Sequence, residues 1–220
     1  MIKNKFTAVL FDLDGTLLDT ANDLGEALNY VLIKHGFAPV DRERYRPVAS
    51  DGAKGLLELG FGEQLNHFDY DVLRQEFLDH YQANIAIHTC LYPGISELLT
   101  ILNERNIPWG VVTNKPEGLT SLLLPHFDEF KACKVIVGGD TLKERKPHPA
   151  PLLYACQKLS THAAECIYVG DAPRDIEAGN RAGMYTIIAK WGYILATEQC
   201  NSWQACAMAE SPEDILTANL

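Results

Sequence analysis

The sequence AVLFDLDGTLLD, residues 8–19, decides how the rest of the chain is interpreted. Its apolar start, residues 8–11, predicts a fully buried strand. Asp12 and Asp14 end this strand, and Gly15 lets the backbone turn sharply. Because ligands in open α/β sheets bind beyond the carboxyl ends of the strands, both aspartates are expected where chemistry takes place. Two acids this close resist ionising together, and Mg²⁺ would relieve them. The four residues DLDG alone fit a plain turn equally well.

The composition favours an ordinary globular protein with a large core. The chain has 220 residues, of which 47% are hydrophobic and 22% charged, which fits one large domain or a domain with a substantial insertion. A net charge of −10 argues against nucleic acids and anionic membranes as partners. No run approaches the roughly 18 apolar residues of a membrane span. Residues 1–5 leave no room for a signal peptide, and six cysteines without a Cys-x-x-Cys pair suit a reduced cytoplasm.

After residue 19 the pattern of apolar residues changes to a helical one. No strand-like run occurs from residue 20 to about 88, and the spacing of apolar residues predicts helices near 24–36, 51–59 and 70–84. We therefore expect an all-helical cap, residues 19–88, inserted into a core domain made of residues 1–18 and 89–220. The short joins between the two favour a hinged lid.

The remainder of the chain alternates between strands and helices. Strands are predicted at 109–114, 135–137, 166–169 and 185–189, and helices at 93–106, 117–124, 149–158 and 175–182. This alternation implies βαβ crossovers and an α/β fold with a doubly wound, mainly parallel sheet. We expect a closing helix at residues 212–220.

The ends of the second, third and fourth strands each add another type of reactive side chain. Thr113 and Asn114 follow the second strand and can hydrogen-bond a phosphoryl oxygen, although they would also suit a helix N-cap. Lys146 lies in a loop stiffened by two prolines, which favours a fixed role over a solvated surface charge. Asp171 and Asp175 follow the fourth strand, and Asp175 would also suit a helix start.

Taken in chain order, Asp12-x-Asp14, Thr113-Asn114, Lys146 and Asp171-x-x-x-Asp175 resemble the four motifs of the haloacid dehalogenase-like (HAD) hydrolases. The resemblance covers about residues 7–190. The resemblance implies a phosphatase in which Asp12 attacks the phosphoryl group to form an aspartyl-phosphate, while Asp14 serves as general acid and base. Thr113 and Lys146 would hold the phosphoryl oxygens. Mg²⁺ would be bound by Asp12, Asp171 and the backbone carbonyl of Asp14. Asp175 would orient Lys146 or a metal-bound water.

Three longer strings are similar to a bacterial branch of phosphoglycolate phosphatases that includes N-acetylmuramic acid 6-phosphate phosphatases. They are EFLDHYQ (76–82), WGVVTNKP (109–116) and WGYI (191–194). The substrates of both enzymes carry a carboxylate and a phosphate, so the expected partner is a small phosphorylated metabolite. Within the cap, the segment RPVASDGAKG (46–55) is the expected substrate loop, with Arg46, Ser50 and Lys54 as anion ligands. A plain helix start with solvated charges explains the same segment equally well.

Two other classes of protein share some of these features. A sugar phosphomutase of the β-phosphoglucomutase kind uses the same core but returns the phosphate to a sugar. A phosphoacceptor (receiver) or phosphate-binding signalling domain would also place acids, Thr and Lys around Mg²⁺. Receiver domains, however, carry no helical insertion after the first strand. The sequence leaves the oligomeric state open between a monomer and a homodimer.

Overall fold

The computed structural model describes residues 6–195 and 200–218. The chain divides into two compact units, residues 1–18 with 91–220 and residues 19–90. Among the described residues the strands are β1 (Ala8–Phe11), β2 (Leu18–Asp19), β3 (Cys90–Leu91), β4 (Trp109–Val112), β5 (Val135–Val137), β6 (Cys166–Gly170), β7 (Tyr185–Ala189) and β8 (Ala207–Ala209). The α-helices are α1 (Ala21–Lys34), α2 (Arg42–Tyr45), α3 (Gly52–Phe61), α4 (Tyr70–Ala83), α5 (Ile95–Glu104), α6 (Glu117–Leu123), α7 (Ala150–Leu159) and α8 (Pro173–Ala182).

The first unit is built on a six-stranded sheet in the order β5-β4-β1-β6-β7-β8. Every neighbouring pair in it is parallel. Strands β1, β4 and β6 are buried along their whole length, as expected for parallel strands covered by helices on both faces. The predicted α/β fold with a doubly wound, mainly parallel sheet is confirmed. Strands β2 and β3 form a separate two-stranded sheet.

Strand register sets the position of the polar side chains that follow the sheet. Phe11, the last residue of β1, pairs with Val111 of β4 and Val169 of β6. The pairing continues one residue further, because the backbone N–H of Asp12 donates to the carbonyl of Val169 over 2.9 Å. The carboxyl ends of β1, β4 and β6 therefore lie side by side at one edge of the sheet.

The helices α7 and α8 cover part of the sheet. The buried cluster joins side chains from the strands and from both helices: Ala8, Leu10, Val112, Val135, Val137, Leu152, Ala155, Cys156, Cys166, Tyr168, Ala178 and Met184. Most of these side chains are aliphatic, and their burial supplies the main stabilising term of the unit. The cluster fixes α8 against β6, and hence the start of α8 beside the strand end.

The end of the chain differs from the prediction. Instead of a closing helix at 212–220, the structure shows a short 3-10 helix, Pro212–Thr217, and residues 219–220 lie outside the described residues. Strand β8 was not predicted, because three residues are too few to show an alternating pattern.

The second unit is helical. Residues 20–89, all of which the structure describes, contain no strand, and α1, α3 and α4 enclose a core of Leu24, Leu28, Val31, Leu32, Leu56, Leu57, Phe61, Leu73, Phe77 and Tyr81. Gly25 on α1 permits close packing, since a Cβ there would lie 2.3 Å from the ring of Tyr45. No described helix has the length and apolar character needed to cross a membrane.

Candidate active site

Three buried aspartates meet at the carboxyl edge of the sheet. Asp12 follows β1 directly, Asp171 follows β6, and Asp175 lies in the first turn of α8. Each offers a carboxylate oxygen, and these oxygens all lie within 4.8 Å of one another. Because three negative charges this close repel strongly when buried, the cluster requires positive charge nearby.

Lys146 supplies part of that charge. Its ammonium nitrogen lies 2.8 Å from Oδ1 of Asp12 and donates to Oδ1 of Asp175 over 2.7 Å. It also donates to the hydroxyl oxygen of Tyr168 over 2.9 Å. Lys146 is only 2% exposed, so the alternative of a solvated surface charge is wrong.

Asn114 holds the backbone of Lys146 from both sides. The Asn114 amide nitrogen donates to the carbonyl oxygen of Lys146 over 2.9 Å, and the N–H of Lys146 donates to the Asn114 amide oxygen over 3.0 Å. This reciprocal pair fixes the loop that carries the lysine. The predicted role of Asn114 as a substrate ligand stays a prediction, since its amide is engaged with the protein here.

Thr113 is buried directly after β4. Its hydroxyl oxygen accepts a hydrogen bond from the N–H of Lys115 over 3.1 Å. Helix α6 begins only at Glu117, and Pro116 occupies its N-cap position. The helix-cap alternative for Thr113 and Asn114 is therefore wrong.

Asp175 has two tasks in the structure. Its Oδ2 accepts from the N–H of Ala172 over 3.0 Å, which satisfies a backbone donor at the start of α8. Its Oδ1 receives the hydrogen bond from Lys146. Burial raises the pKa of Asp175, while Lys146 acts in the opposite direction. Both interpretations of Asp175, as a helix-start residue and as a partner of Lys146, therefore fit its contacts.

Asp171 is held by two donors of its own. The hydroxyl of Thr16 donates to Oδ1 over 3.2 Å, and the N–H of Tyr193 donates to Oδ2 over 2.9 Å. Burial, followed by the negative charges of Asp12 and Asp175, raises the pKa of Asp171 to about 8. The carboxyl of Asp171 thus lacks a sufficient counter-charge from the protein itself.

These contacts fit a divalent cation. Oδ1 of Asp12 is buried and accepts no hydrogen bond from any described residue, because the contact with Lys146 has ion-pair distance but not hydrogen-bond angles. Asp175 already receives a hydrogen bond from the ammonium of Lys146, whereas both donors to Asp171 are uncharged. Asp12, with its free oxygen, and Asp171 are therefore the carboxylates of this cluster best suited to a hard cation with oxygen ligands.

The predicted substrate segment of the helical unit is more regular than a loop. Arg46 and Ser50 lie on a 3-10 helix, Arg46–Asp51, which runs into α3, where Lys54 lies. Arg46 pairs with Asp19 at 3.3 Å. The side chain of Lys54 is 73% exposed and lies 3.9 Å from Glu58. The contacts of Lys54 are those of a solvated helix charge, whereas Arg46 is held in a partly buried position.

A family model described as haloacid dehalogenase-like hydrolase matches residues 9–189. The chain belongs to this family. A phosphoglycolate phosphatase of Xanthomonas campestris is 42% identical over 208 residues, which are 94% of this chain and 94% of that protein. An N-acetylmuramic acid 6-phosphate phosphatase of Pseudomonas aeruginosa is 38% identical over 216 residues, 98% of this chain and 96% of that protein.

A solved structure gives the same result for the fold. The crystal structure of a predicted phosphoglycolate phosphatase from Haemophilus somnus superposes with a TM-score of 0.88 at 26% identity and covers 98% of both chains. The predicted family and the prediction of a phosphatase are confirmed. The phosphomutase alternative is not favoured by these relatives.

Sequence reasoning missed three residues that contact the site of this HAD-like hydrolase. Thr16 donates to Asp171, Tyr168 accepts from Lys146 and donates to the carbonyl of Val112, and Lys115 pairs with Asp14.

Tyr168 had a usable signal, since a tyrosine inside a fully buried strand needs a partner for its hydroxyl. Lys115 follows Thr113 by two residues, but nothing in the sequence indicates which way its side chain points.

Gly15 is expected to be required for the position of Asp171. Its φ is +88°, and a Cβ there would lie 2.2 Å from Oδ2 of Asp171. Gly15→Ala therefore adds about 1–2 kcal/mol of left-handed strain and displaces the Asp171 carboxylate. We expect the divalent-cation concentration for half-maximal activity to rise about tenfold or more, the usual effect of disturbing the groups around a metal ligand.

The matched control is Gly183→Ala. Gly183 has a φ of +78°, but a Cβ there meets nothing within 4 Å, so only the backbone strain is added. In thermal unfolding, both variants should lose the stability that the backbone strain costs, and Gly15→Ala should lose more because of its clash with Asp171. Metal activation should change only in Gly15→Ala. Equal metal activation in the two variants would contradict the role of Gly15.

The stability of the metal-free protein is expected to fall as the pH rises towards about 8. The pKa of Asp171 is raised from 3.8 to about 8, so the folded state binds this proton more tightly than the unfolded state does. Between these values the free energy of unfolding must decrease with pH. Urea denaturation in EDTA at several pH values measures this slope, and Asp171→Asn should flatten it. A slope unchanged by Asp171→Asn would refute the assignment.

Proposed function

We propose that this HAD-like hydrolase cleaves a small phosphate monoester that also carries a carboxylate, such as 2-phosphoglycolate or N-acetylmuramic acid 6-phosphate. The relatives named above support both substrates. The observation that carries the proposal is the buried Asp12 carboxylate with Lys146 at 2.8 Å. It supports Asp12 as the nucleophile and Lys146 as a ligand of the phosphoryl oxygens.

The proposed reaction has two steps. A carboxylate oxygen of Asp12 attacks phosphorus, the ester P–O bond breaks, and Asp14 gives a proton to the departing alcohol. Asp14 then takes a proton from a water molecule that attacks the aspartyl-phosphate, which releases phosphate and restores Asp12. Both steps need Asp12 and Asp14 on the same strand-end turn, as the motif has them.

Other residues hold the phosphoryl group and the lysine. Thr113 and Lys146 are proposed to bind the phosphoryl oxygens, while Asn114, Tyr168 and Asp175 keep Lys146 in place. We propose Mg²⁺ as the cation, bound by Asp12, Asp171 and the carbonyl of Asp14. When bound, it would neutralise negative charge on the phosphoryl oxygens.

The helical residues 19–88 are proposed to act as a cap that selects the substrate. Arg46, Ser50 and Lys54 remain the proposed anion ligands there, and the guanidinium of Arg46 suits a carboxylate best. We also propose that the enzyme works in the cytoplasm, which agrees with six free cysteine thiols.

The function is tested by phosphate release with Mg²⁺ from 2-phosphoglycolate, N-acetylmuramic acid 6-phosphate and glucose 6-phosphate. We expect one of the two carboxylate-bearing esters to exceed glucose 6-phosphate in kcat/KM by at least about tenfold, since an Arg–carboxylate hydrogen bond contributes about 1.5–3 kcal/mol. EDTA should abolish the release. Equal rates on all three esters would overturn the proposed specificity, and activity only with a sugar 1,6-bisphosphate would indicate a mutase.

Arg46→Ala is expected to raise KM for the carboxylate-bearing ester by about tenfold or more, with little change for glucose 6-phosphate. Arg42→Ala is the matched control, because Arg42 also faces Asp19, at 3.8 Å, but its side chain is 53% exposed. If both variants raise KM equally, the effect comes from the ion pair with Asp19 and Arg46 does not bind the substrate.

A further inference from the structure

Among the described residues, Lys115 is a buried cation to which the proposed reaction gives no role. The ammonium nitrogen of Lys115 donates to Oδ1 of Asp14 over 3.0 Å, and the two side chains are 4% and 15% exposed. Both residues belong to the same compact unit as the strand ends. Asp14 does not belong to the three-aspartate cluster of Asp12, Asp171 and Asp175. Its carboxylate instead contacts Lys115.

Two hydrogen bonds hold the backbone of Lys115 in place. Its N–H donates to the hydroxyl oxygen of Thr113 over 3.1 Å, and its carbonyl accepts from the N–H of Gly139 over 2.8 Å. Gly139 permits this approach, because a Cβ there would lie 2.2 Å from the carbonyl oxygen of Asn114. The lysine is therefore held on the same turn that positions Thr113.

Stability does not explain a lysine at this position. Removing an ammonium from water costs several kcal/mol, and buried ion pairs are often replaced by apolar residues without loss. A lysine that pairs with the carboxylate of the proposed general acid instead indicates a role in orienting that acid, because proton transfer depends on geometry first.

We propose that Lys115 is a positioning residue that orients the carboxyl group of Asp14 towards the oxygen of the leaving alcohol. The inference rests on the proposed role of Asp14 as general acid and base. It predicts that loss of Lys115 lowers kcat/KM most for esters whose leaving oxygen must be protonated. An alkoxide leaves poorly without protonation, whereas p-nitrophenolate leaves readily without it.

The test compares kcat/KM for ethyl phosphate, p-nitrophenyl phosphate and 2-phosphoglycolate in the Mg²⁺-loaded enzyme. Asp14→Asn should lose about 100-fold or more on ethyl phosphate, the usual contribution of a general acid, and much less on p-nitrophenyl phosphate. Lys115→Met should show the same asymmetry, with at least about a tenfold greater loss on ethyl phosphate. Lys115→Arg, which keeps the charge and a donor, should recover part of it.

The double variant Lys115→Met with Asp14→Asn gives a second readout. If Lys115 acts through Asp14, the double variant should lose no more on ethyl phosphate than Asp14→Asn alone. Thermal unfolding identifies variants that do not fold, and Lys115→Gln then replaces Lys115→Met in the same comparison.

Each other outcome overturns the inference in a recognisable way. Equal losses of Lys115→Met on ethyl and p-nitrophenyl phosphate would show a purely structural residue. A loss confined to 2-phosphoglycolate would show that Lys115 binds the substrate carboxylate instead. If Asp14→Asn itself shows no dependence on the leaving group, the proposed function fails at Asp14, which is a different result from failure at Lys115.

Discussion

Replacing Asp12 by asparagine is expected to lower kcat/KM by about 10⁴-fold or more, as loss of a covalent nucleophile does in other hydrolases. An amide oxygen does not form the aspartyl-phosphate, so the first step of the proposed reaction is lost. Asparagine has nearly the same shape as aspartate, and Lys146 retains its hydrogen bond to Asp175. The change therefore removes the chemistry while leaving the packing around Asp12 in place.

Phosphate release measures the loss, and acid quenching followed by mass spectrometry measures the phosphoenzyme. The phosphoenzyme should be trapped in the parent protein and absent in Asp12→Asn. Asp128→Asn makes the same chemical change at an aspartate whose side chain is 86% exposed, and it should retain parental activity. An Asp12→Asn protein that keeps a substantial fraction of the activity would refute the nucleophile.

Lys146→Met is expected to have a large effect on both stability and activity. The substitution leaves Asp12 and Asp175 buried without their shared cation, and breaking such a buried pair costs about 3–5 kcal/mol. Activity should fall by about 10²- to 10³-fold or more, the usual loss when a donor to a developing anion is removed.

The stability loss has a defined pH dependence. Without Lys146 the pKa of Asp175, already raised by burial, rises further, so the folded variant binds protons more tightly. The free energy of unfolding should therefore recover as the pH falls. Urea denaturation at two pH values measures this recovery, with Lys158→Met, an exposed lysine on α7, as control. A deficit independent of pH would mean that lost packing, not uncompensated charge, causes it.

The parts of the site that follow directly from buried strands could be predicted from the sequence. Asp12, Thr113 and Asp171 come immediately after apolar runs, and parallel strands bring their carboxyl ends to one edge. The longer helices of the second unit, α1, α3 and α4, were predictable from a different signal, because their apolar residues repeat at helical spacing. The four-residue helix α2 was not predicted.

Contacts made by side chains across long sequence separations could not be predicted in this way. The hydrogen bonds between the Asn114 amide and the backbone of Lys146, 32 residues away, were not predicted, and the role of Asn114 as a phosphoryl ligand stays a prediction. Lys115 reaches Asp14, 101 residues away. Periodicity reports which face of an element is buried, but it holds no information on which loop side chains meet.

The order of the strands has a consequence for how the enzyme becomes active. The central strand β1 is made first, yet its neighbours β4 and β6 follow about one hundred and more residues later. A nascent chain that still lacks β6 has Asp12 but neither Asp171 nor the hydroxyl that supports Lys146. Pairings so distant in sequence form slowly. We therefore expect a chain that has not yet formed β6 to be inert towards phosphate esters.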